Sequence, residues 1–451
     1  MGDRSTDTEV PTTDESGNAP AMRHVGQSAN PRMQLIRRWG GKATWTLVDQ
    51  GLVSLGSLFL TIMLSRVLSV REFGGFVTGF AIVLVAAGLH EALLLEPMLV
   101  LGPLHHQQDL RSYLKTQAVN HLVWTLPVSA VFALAGSIVM LLRWGDVIGQ
   151  ALWGVALSLP CILYLWMARR ASYVLGRPRS ALLVSLLYTT GLVLALLVGD
   201  PARWNSFLAL AIVGLVAAAA SVPFMLVLLS EGSVQSGSLR WINEENWRYG
   251  RWGLSGALLM TASVQAQVLV IGPFLGLAPV GVFRAMQVFV MPVNQVLTAL
   301  NLLILPAMAS KVGSGQLSTV RRTVWVLFAG CIGLALLYEM VLVFGAQELE
   351  QAAYGGKFEQ FSYLIPILGA GPVLSAVAFA FLVCLRALEL PKVNLISAAV
   401  VGPLSIVTAL IFTKQFGLTG AAASYVATSA ISAVTAAVLY VWMARPRLEL
   451  H

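Results

Sequence analysis

Three carboxylates lie inside apolar runs of this chain, Asp49, Glu91 and Glu96, and one arginine, Arg284, lies among amides. These are its residues with chemistry to offer. A charged side chain at bilayer depth costs about 2.5–3.5 kcal/mol on insertion scales, so each needs a partner, a wet cavity or a place near the interface. Asp49 and Glu96 lie at similar depth, each about 7–9 Å from the same face at ~1.5 Å rise per residue. They can share one aqueous vestibule, or cap helix ends. Glu91 is roughly 15 Å deep by the same rise, which makes it the stronger candidate for a titrating or ion-binding carboxylate. His90 beside it reads as a satisfied core residue. The spacing offers no catalytic constellation and no metal-ligand set, and Cys161, Cys331 and Cys384 read as buried thiols.

The second half of the chain substitutes amides for acids. Gln265 and Gln267 fall in one apolar run, and Gln287, Asn294, Gln295 and Asn301 in the next. Gln287, Asn294 and Asn301 recur every seventh residue, which predicts one polar helix face. Such a stripe suits sugar hydroxyls, and equally suits hydrogen bonding between helices. Arg284 and Arg66 sit at the same end of their runs. Arginine there can clamp a phosphate through paired donors, or snorkel to the headgroups. Glu339 can pair with an arginine across the path.

These groups must be carried by membrane helices. With 57% hydrophobic and 11% charged residues over 451 positions, the chain has too much apolar surface for one soluble core. Charged or Gly/Pro-bearing breaks divide it into about twelve spans, near 43–65, 74–101, 118–142, 147–168, 180–199, 206–229, 252–275, 281–309, 322–345, 361–385, 393–412 and 418–443. Their apolar runs are continuous rather than alternating, so they predict helices and not a barrel. The net charge of +8 resides mostly in short loops on one side, which reads as membrane topology rather than nucleic-acid binding. It predicts a multi-pass protein with both termini in the cytoplasm.

Trp45, Leu68, Gly74 and Phe76 reappear 207 positions later as Trp252, Leu275, Gly281 and Phe283. Six spans per half is even, so the repeat is parallel. The expected fold is all-α and polytopic, two six-helix bundles related by a pseudo-twofold axis along the membrane normal. The expected domains are a disordered cytoplasmic tail, 1–31; an N-terminal bundle, 32–229; an interfacial linker in the headgroup layer, 230–251; a C-terminal bundle, 252–443; and a cytoplasmic C-terminus, 444–451. Prolines at 127, 160, 223, 273, 292, 366, 372 and 403 interrupt spans and predict bends or cavity lining.

The stretches WTLVDQGLVSLGSLFLTIMLSRVLSVREFGGF and HEALLLEPMLV resemble the opening of the polysaccharide-biosynthesis flippases, members of the multidrug, oligosaccharidyl-lipid and polysaccharide exporter superfamily. IGPFLGLAPVGVFRAMQVFVMPVNQVLTALNLLILPAMAS and FGLTGAAASYVATS resemble that family's second half. The resemblance implies alternating-access translocation of an undecaprenyl-diphosphate-linked oligosaccharide across the bacterial inner membrane, without a cofactor. Membrane lipids, and other polysaccharide-assembly proteins, are the further partners it implies. The basic residues within the spans are few for a strongly cationic cavity, so Arg169, Arg170, Arg177 and Arg179 at the rim are a second place for the diphosphate, or a topology signal. The rival functions are a multidrug or small-solute exporter of the same superfamily, with Asp49 or Glu91 as its essential acid, and a non-transporting scaffold. An enzyme would need a sizeable loop of acids, bases or arginines, and the stretch near 346–360 offers little beyond Glu348, Glu350, Lys357 and Glu359.

Overall fold

The computed structural model describes residues 31–229, 238–388, 390 and 392–446. The expectations for the tail, for 230–237 and for 447–451 lie outside the described residues. The chain divides into a unit ending at Thr44 and a unit Trp45–His451. The interactions described below belong to the second.

The first half contains α1 (Pro31–Val67), α2 (Val70–His90), α3 (Glu96–His105), α4 (Leu110–Leu141), α5 (Asp146–Val174), α6 (Pro178–Val198) and α7 (Ser206–Leu229). The second contains α8 (Ser238–Leu275), α9 (Leu277–Gln287), α10 (Met291–Gly313), α11 (Leu317–Phe344), α12 (Ala346–Tyr354), α13 (Leu364–Ala387) and α14 (Lys392–Leu439). A π turn, Glu91–Leu95, joins α2 to α3, and a 3-10 turn, Val288–Val290, joins α9 to α10, so each pair makes one span.

Among the described residues, eleven helical stretches are long and apolar enough to cross a membrane. The last, Leu395–Ala444, is two passes in one. Gly417 takes a left-handed φ of 60° inside it, and a side chain on Gly420 would strike the Phe412 carbonyl, as happens only where the chain doubles back. The protein is thus an all-helical polytopic membrane protein, as its apolar runs predict.

The repeat becomes physical where α2 crosses α9. A Cβ on Gly74 would collide with the Leu277 carbonyl, and a Cβ on Gly281 with the Val70 carbonyl. Residues 70 and 74 meet 277 and 281, each pair offset by the repeat distance, so the contact is its own image under a twofold operation. Two backbones approach this closely only because neither position carries a side chain. Phe73 and Phe283 are fully buried beside the crossing.

Helix α8 begins inside the expected linker. Its segment 238–251 continues as helix into the span, with one face packed on the first half. Ile242 and Asn246 are buried, Gln117 and Asn246 exchange two amide hydrogen bonds of 3.0 Å, and Trp124 Nε1 donates to Asn243 Oδ1 at 3.2 Å. Trp241, Trp247 and Tyr249 stay exposed on the remaining faces. The segment is amphipathic, and buries its polar–apolar stripe in protein while its aromatics face outward.

Candidate substrate cavity

Call the end of the bundle where α1 ends, at Val67, the far end, and the opposite one the near end. Between α1 and α10 lies a cleft of about 580 Å³, lined by Gln50, Ser54, Ser57, Asn294, Gln295, Thr298 and Arg284 together with apolar side chains. A narrow inner chamber of about 20 Å³ lies among α1, α2, α8 and α9. Ser57 and Arg284 line both, so the two adjoin. Arg284 is the one charged side chain among the residues that line them. It lies seven residues from the start of α9, about 10 Å inside the far end at 1.5 Å per residue.

The surroundings of Arg284 are built to keep a guanidinium without an acid. Its Nη1 donates to Gln287 Oε1 at 2.8 Å, and the phenols of Tyr354 and Tyr425 lie close enough to act on it electrostatically. Tyr425 accepts from Asn294 Nδ2 at 3.3 Å, and Tyr354 donates to the Ala285 carbonyl at 2.8 Å. A half-buried cation whose partners are neutral has donors of the kind that bind anions.

The amide stripe is only partly as expected. Gln287 and Asn294 belong to the site, but Asn301 does not line either chamber, and its Oδ1 is buried without a partner. Asn301 follows Asn294 by seven residues of the same helix, about 10 Å farther along α10 at ~1.5 Å per residue, which carries it past the residues that line the cleft. Gln265 lines the inner chamber; Gln267 turns into the second half and donates to Thr428 at 3.4 Å.

The acids are also placed differently. Asp49 is fully buried and accepts from Arg169 Nη2 at 2.7 Å, from Tyr173 at 2.5 Å, and from Ser185. Glu91 pairs with Arg170 at 2.9 Å. Glu96 instead lines a separate open cavity of about 690 Å³ with Glu245, Arg248 and Tyr249. No vestibule is shared by Asp49 and Glu96, because the arginine pair of α5 draws Asp49 into the first half. Arg169 and Arg170 thus each have an acid of the first half as partner. Arg179 covers the Trp45 ring at 5.4 Å. His90 is buried as expected but only half satisfied: its Nε2 meets His121 Nδ1 at 2.9 Å, and His121 Nε2 donates to the Pro160 carbonyl at 3.0 Å, while His90 Nδ1 is buried without a partner. Glu339 keeps a buried Oε2 without a partner, so the arginine it was expected to meet is not there.

Arg66 leaves the path for the far-end closure. Its Nε donates to the Ala353 carbonyl and its Nη2 to that of Ala352 at 2.6 Å, in the last turn of α12. Lys357 returns the contact, donating to the carbonyls of Ser65 (2.7 Å), Arg66 (3.3 Å) and Leu68 at the end of α1. Each half thus supplies a cation to the unsatisfied helix C-terminus of the other. Lys357 lies outside the spans, and partial burial lowers its ammonium below the ordinary lysine value. Burial pushes the Tyr354 phenol up, which keeps it a neutral donor. Glu350 anchors the loop by accepting from Phe358 N at 2.8 Å.

Sequence reasoning missed Ser54, Ser57, Thr298, Tyr354, Tyr425 and Lys357. The hydroxyls hide in apolar runs, and Lys357 in a loop looks like an ordinary topology charge.

No family model matches the chain, and no curated protein matches it. Solved structures do. An inward-facing multidrug resistance transporter of the same exporter superfamily aligns over 91% of this chain and 95% of its own, with TM-score 0.64 and 16% identity. The lipid II flippase MurJ, in an inward closed conformation, aligns over 89% and 87%, with TM-score 0.69 and 11% identity. An outward-facing multidrug transporter gives TM-score 0.55 at 16% identity over 94% and 99%. The chain has the fold of these transporters.

Proposed function

We infer that the protein is a flippase moving a polyprenyl-diphosphate-linked oligosaccharide across the bacterial inner membrane by alternating access. The near end is the cytoplasmic side, where both termini lie, and the far end faces the outer leaflet. The halves 32–229 and 252–443 are the bodies that rock. The observation that carries the reading is Arg284, a lone half-buried cation at the inner end of a cleft otherwise lined by amides, hydroxyls and aliphatic groups. Its guanidinium meets the diphosphate by paired charge-assisted hydrogen bonds, and Gln50, Asn294, Gln295 and Thr298 meet sugar hydroxyls. The prenyl chain stays in lipid. A solved structure of a lipid II flippase with this fold supports a lipid-linked substrate. A small-solute exporter is the rival reading, favoured by the multidrug transporters that share the fold.

Arg284→Gln decides between them. Charge-assisted hydrogen bonds contribute about 1.5–3 kcal/mol, so transport of lipid-linked sugar in a flippase-deficient strain should fall roughly ten- to hundred-fold, with Arg284→Lys intermediate. The readout is the amount of lipid-linked intermediate on each leaflet. Unchanged lipid transport, or export of a cationic dye instead, would remove the flippase reading.

A further inference from the structure

The far-end closure is made of two cations spending their charge on weak acceptors. Arg66 and Lys357 bind backbone carbonyls, and nowhere in those contacts do they meet a carboxylate. All of these bonds cross from one half to the other. A helix end needs no such device, because a glycine or the chain's own next amide can cap it. These bonds are charge-assisted on the donor side only, and an anionic phosphate oxygen supplies the opposite charge that a carbonyl lacks.

Tyr354 ties this closure to the cavity. It is buried, its hydroxyl donates to Ala285 beside Arg284, and Ser65, Arg66 and Glu350 are its other polar neighbours. Arg284, Tyr354, Arg66 and Lys357 therefore form a continuous series from the inner chamber to the far surface, where Arg66 is exposed.

We propose that Arg66 and Lys357 are a second anion site, specific for a diphosphate, and that the anion opens the far end by taking these two cations from the helix carbonyls. Arg284 holds the headgroup first. As the diphosphate advances past Tyr354, each phosphate oxygen that gains a donor removes a bond between the halves, so binding and opening are one event. The inference rests on the flippase reading for its substrate class, and makes its own claim about the closure.

The test uses the full chain in lipid nanodiscs, with the three native cysteines replaced. Probes are placed at Val198→Cys and Phe344→Cys, exposed positions at the far ends of α6 and α11. Their separation reports far-end opening during titration with inorganic pyrophosphate, with sulfate at matched ionic strength as control. Pyrophosphate should lengthen the separation in the parent and sulfate should not. Arg66→Gln and Lys357→Gln should each open part of the population unaided and raise the pyrophosphate midpoint at least ten-fold. Arg66→Lys and Lys357→Arg keep the charge and should keep the response, which controls for folding. A parent blind to pyrophosphate, or a glutamine double variant that opens with the parental midpoint, overturns the proposal. Lipid-linked sugar transport is measured separately, so a chain that transports but ignores pyrophosphate loses this inference alone.

Discussion

At the residue scale, two consecutive arginines on α5 each take a different membrane acid as partner. Consecutive helix positions diverge by about 100°, so Arg169 and Arg170 address different neighbours. One takes Asp49 on α1 and the other takes Glu91 at the π turn. The pairs differ in worth because they differ in exposure. Asp49 has no exposed surface, and Arg169 retains 12% of its side-chain surface, whereas Glu91 and Arg170 retain 32% and 43%. Removing one partner of a buried pair costs about 3–5 kcal/mol, and breaking an exposed one typically below about 1 kcal/mol. Asp49→Asn should therefore lower unfolding stability several-fold more than Glu91→Gln, measured by denaturant unfolding of the purified protein. Arg169→Gln combined with Asp49→Asn should cost less than the sum of the two. Strict additivity would mean the pair is not coupled and that Asp49 is free for ion coupling.

At the element scale, the α2–α9 crossing joins the halves through bare backbone. Gly74→Val places a branched side chain against the Leu277 carbonyl, and Gly281→Val does the same at Val70. Either should force the halves apart and sharply reduce folded protein recovered in detergent, measured by size-exclusion chromatography. Gly51→Ala is the control, since a Cβ there meets nothing within 4 Å. Normal recovery of both valine variants would deny the crossing its role. These glycines were legible in the sequence because a repeat keeps what backbone contact forbids changing. So were the spans, since apolar length alone decides them. The candidate site was legible at Arg284, Gln265, Gln287, Asn294 and Gln295, whose polarity stands out in lipid. Asn301 was misplaced because seven-residue spacing gives a shared helix face but not how far along that face the cleft extends. Asp49 was misplaced because its partner Arg169 is 120 positions away. Depth along a helix can be counted from sequence, but the direction a side chain faces depends on which helix packs beside it.

At the scale of the whole molecule, the two ends of the path are closed by unequal means. The far end carries cation–carbonyl hydrogen bonds from both halves. Across the cleft nearer the other end, Ser54 Oγ donates to Gln295 Oε1 at 3.0 Å in an exposed, neutral contact. A neutral hydrogen bond contributes about 0.5–1.5 kcal/mol net, and those to charged groups about 1.5–3 kcal/mol. From this state the near end should open first. Relative rocking of the halves then requires Ser54 and Gln295 to separate in every cycle. Ser54→Cys with Gln295→Cys, bridged by a short bifunctional thiol reagent, should hold the cleft shut and abolish transport. Reduction of a cleavable bridge should restore it. Ser54→Ala alone should shift the near-end equilibrium by less than about ten-fold, because only one weak bond is lost. Transport that persists with the bridge intact would place the substrate outside this cleft, and with it outside the reach of Arg284.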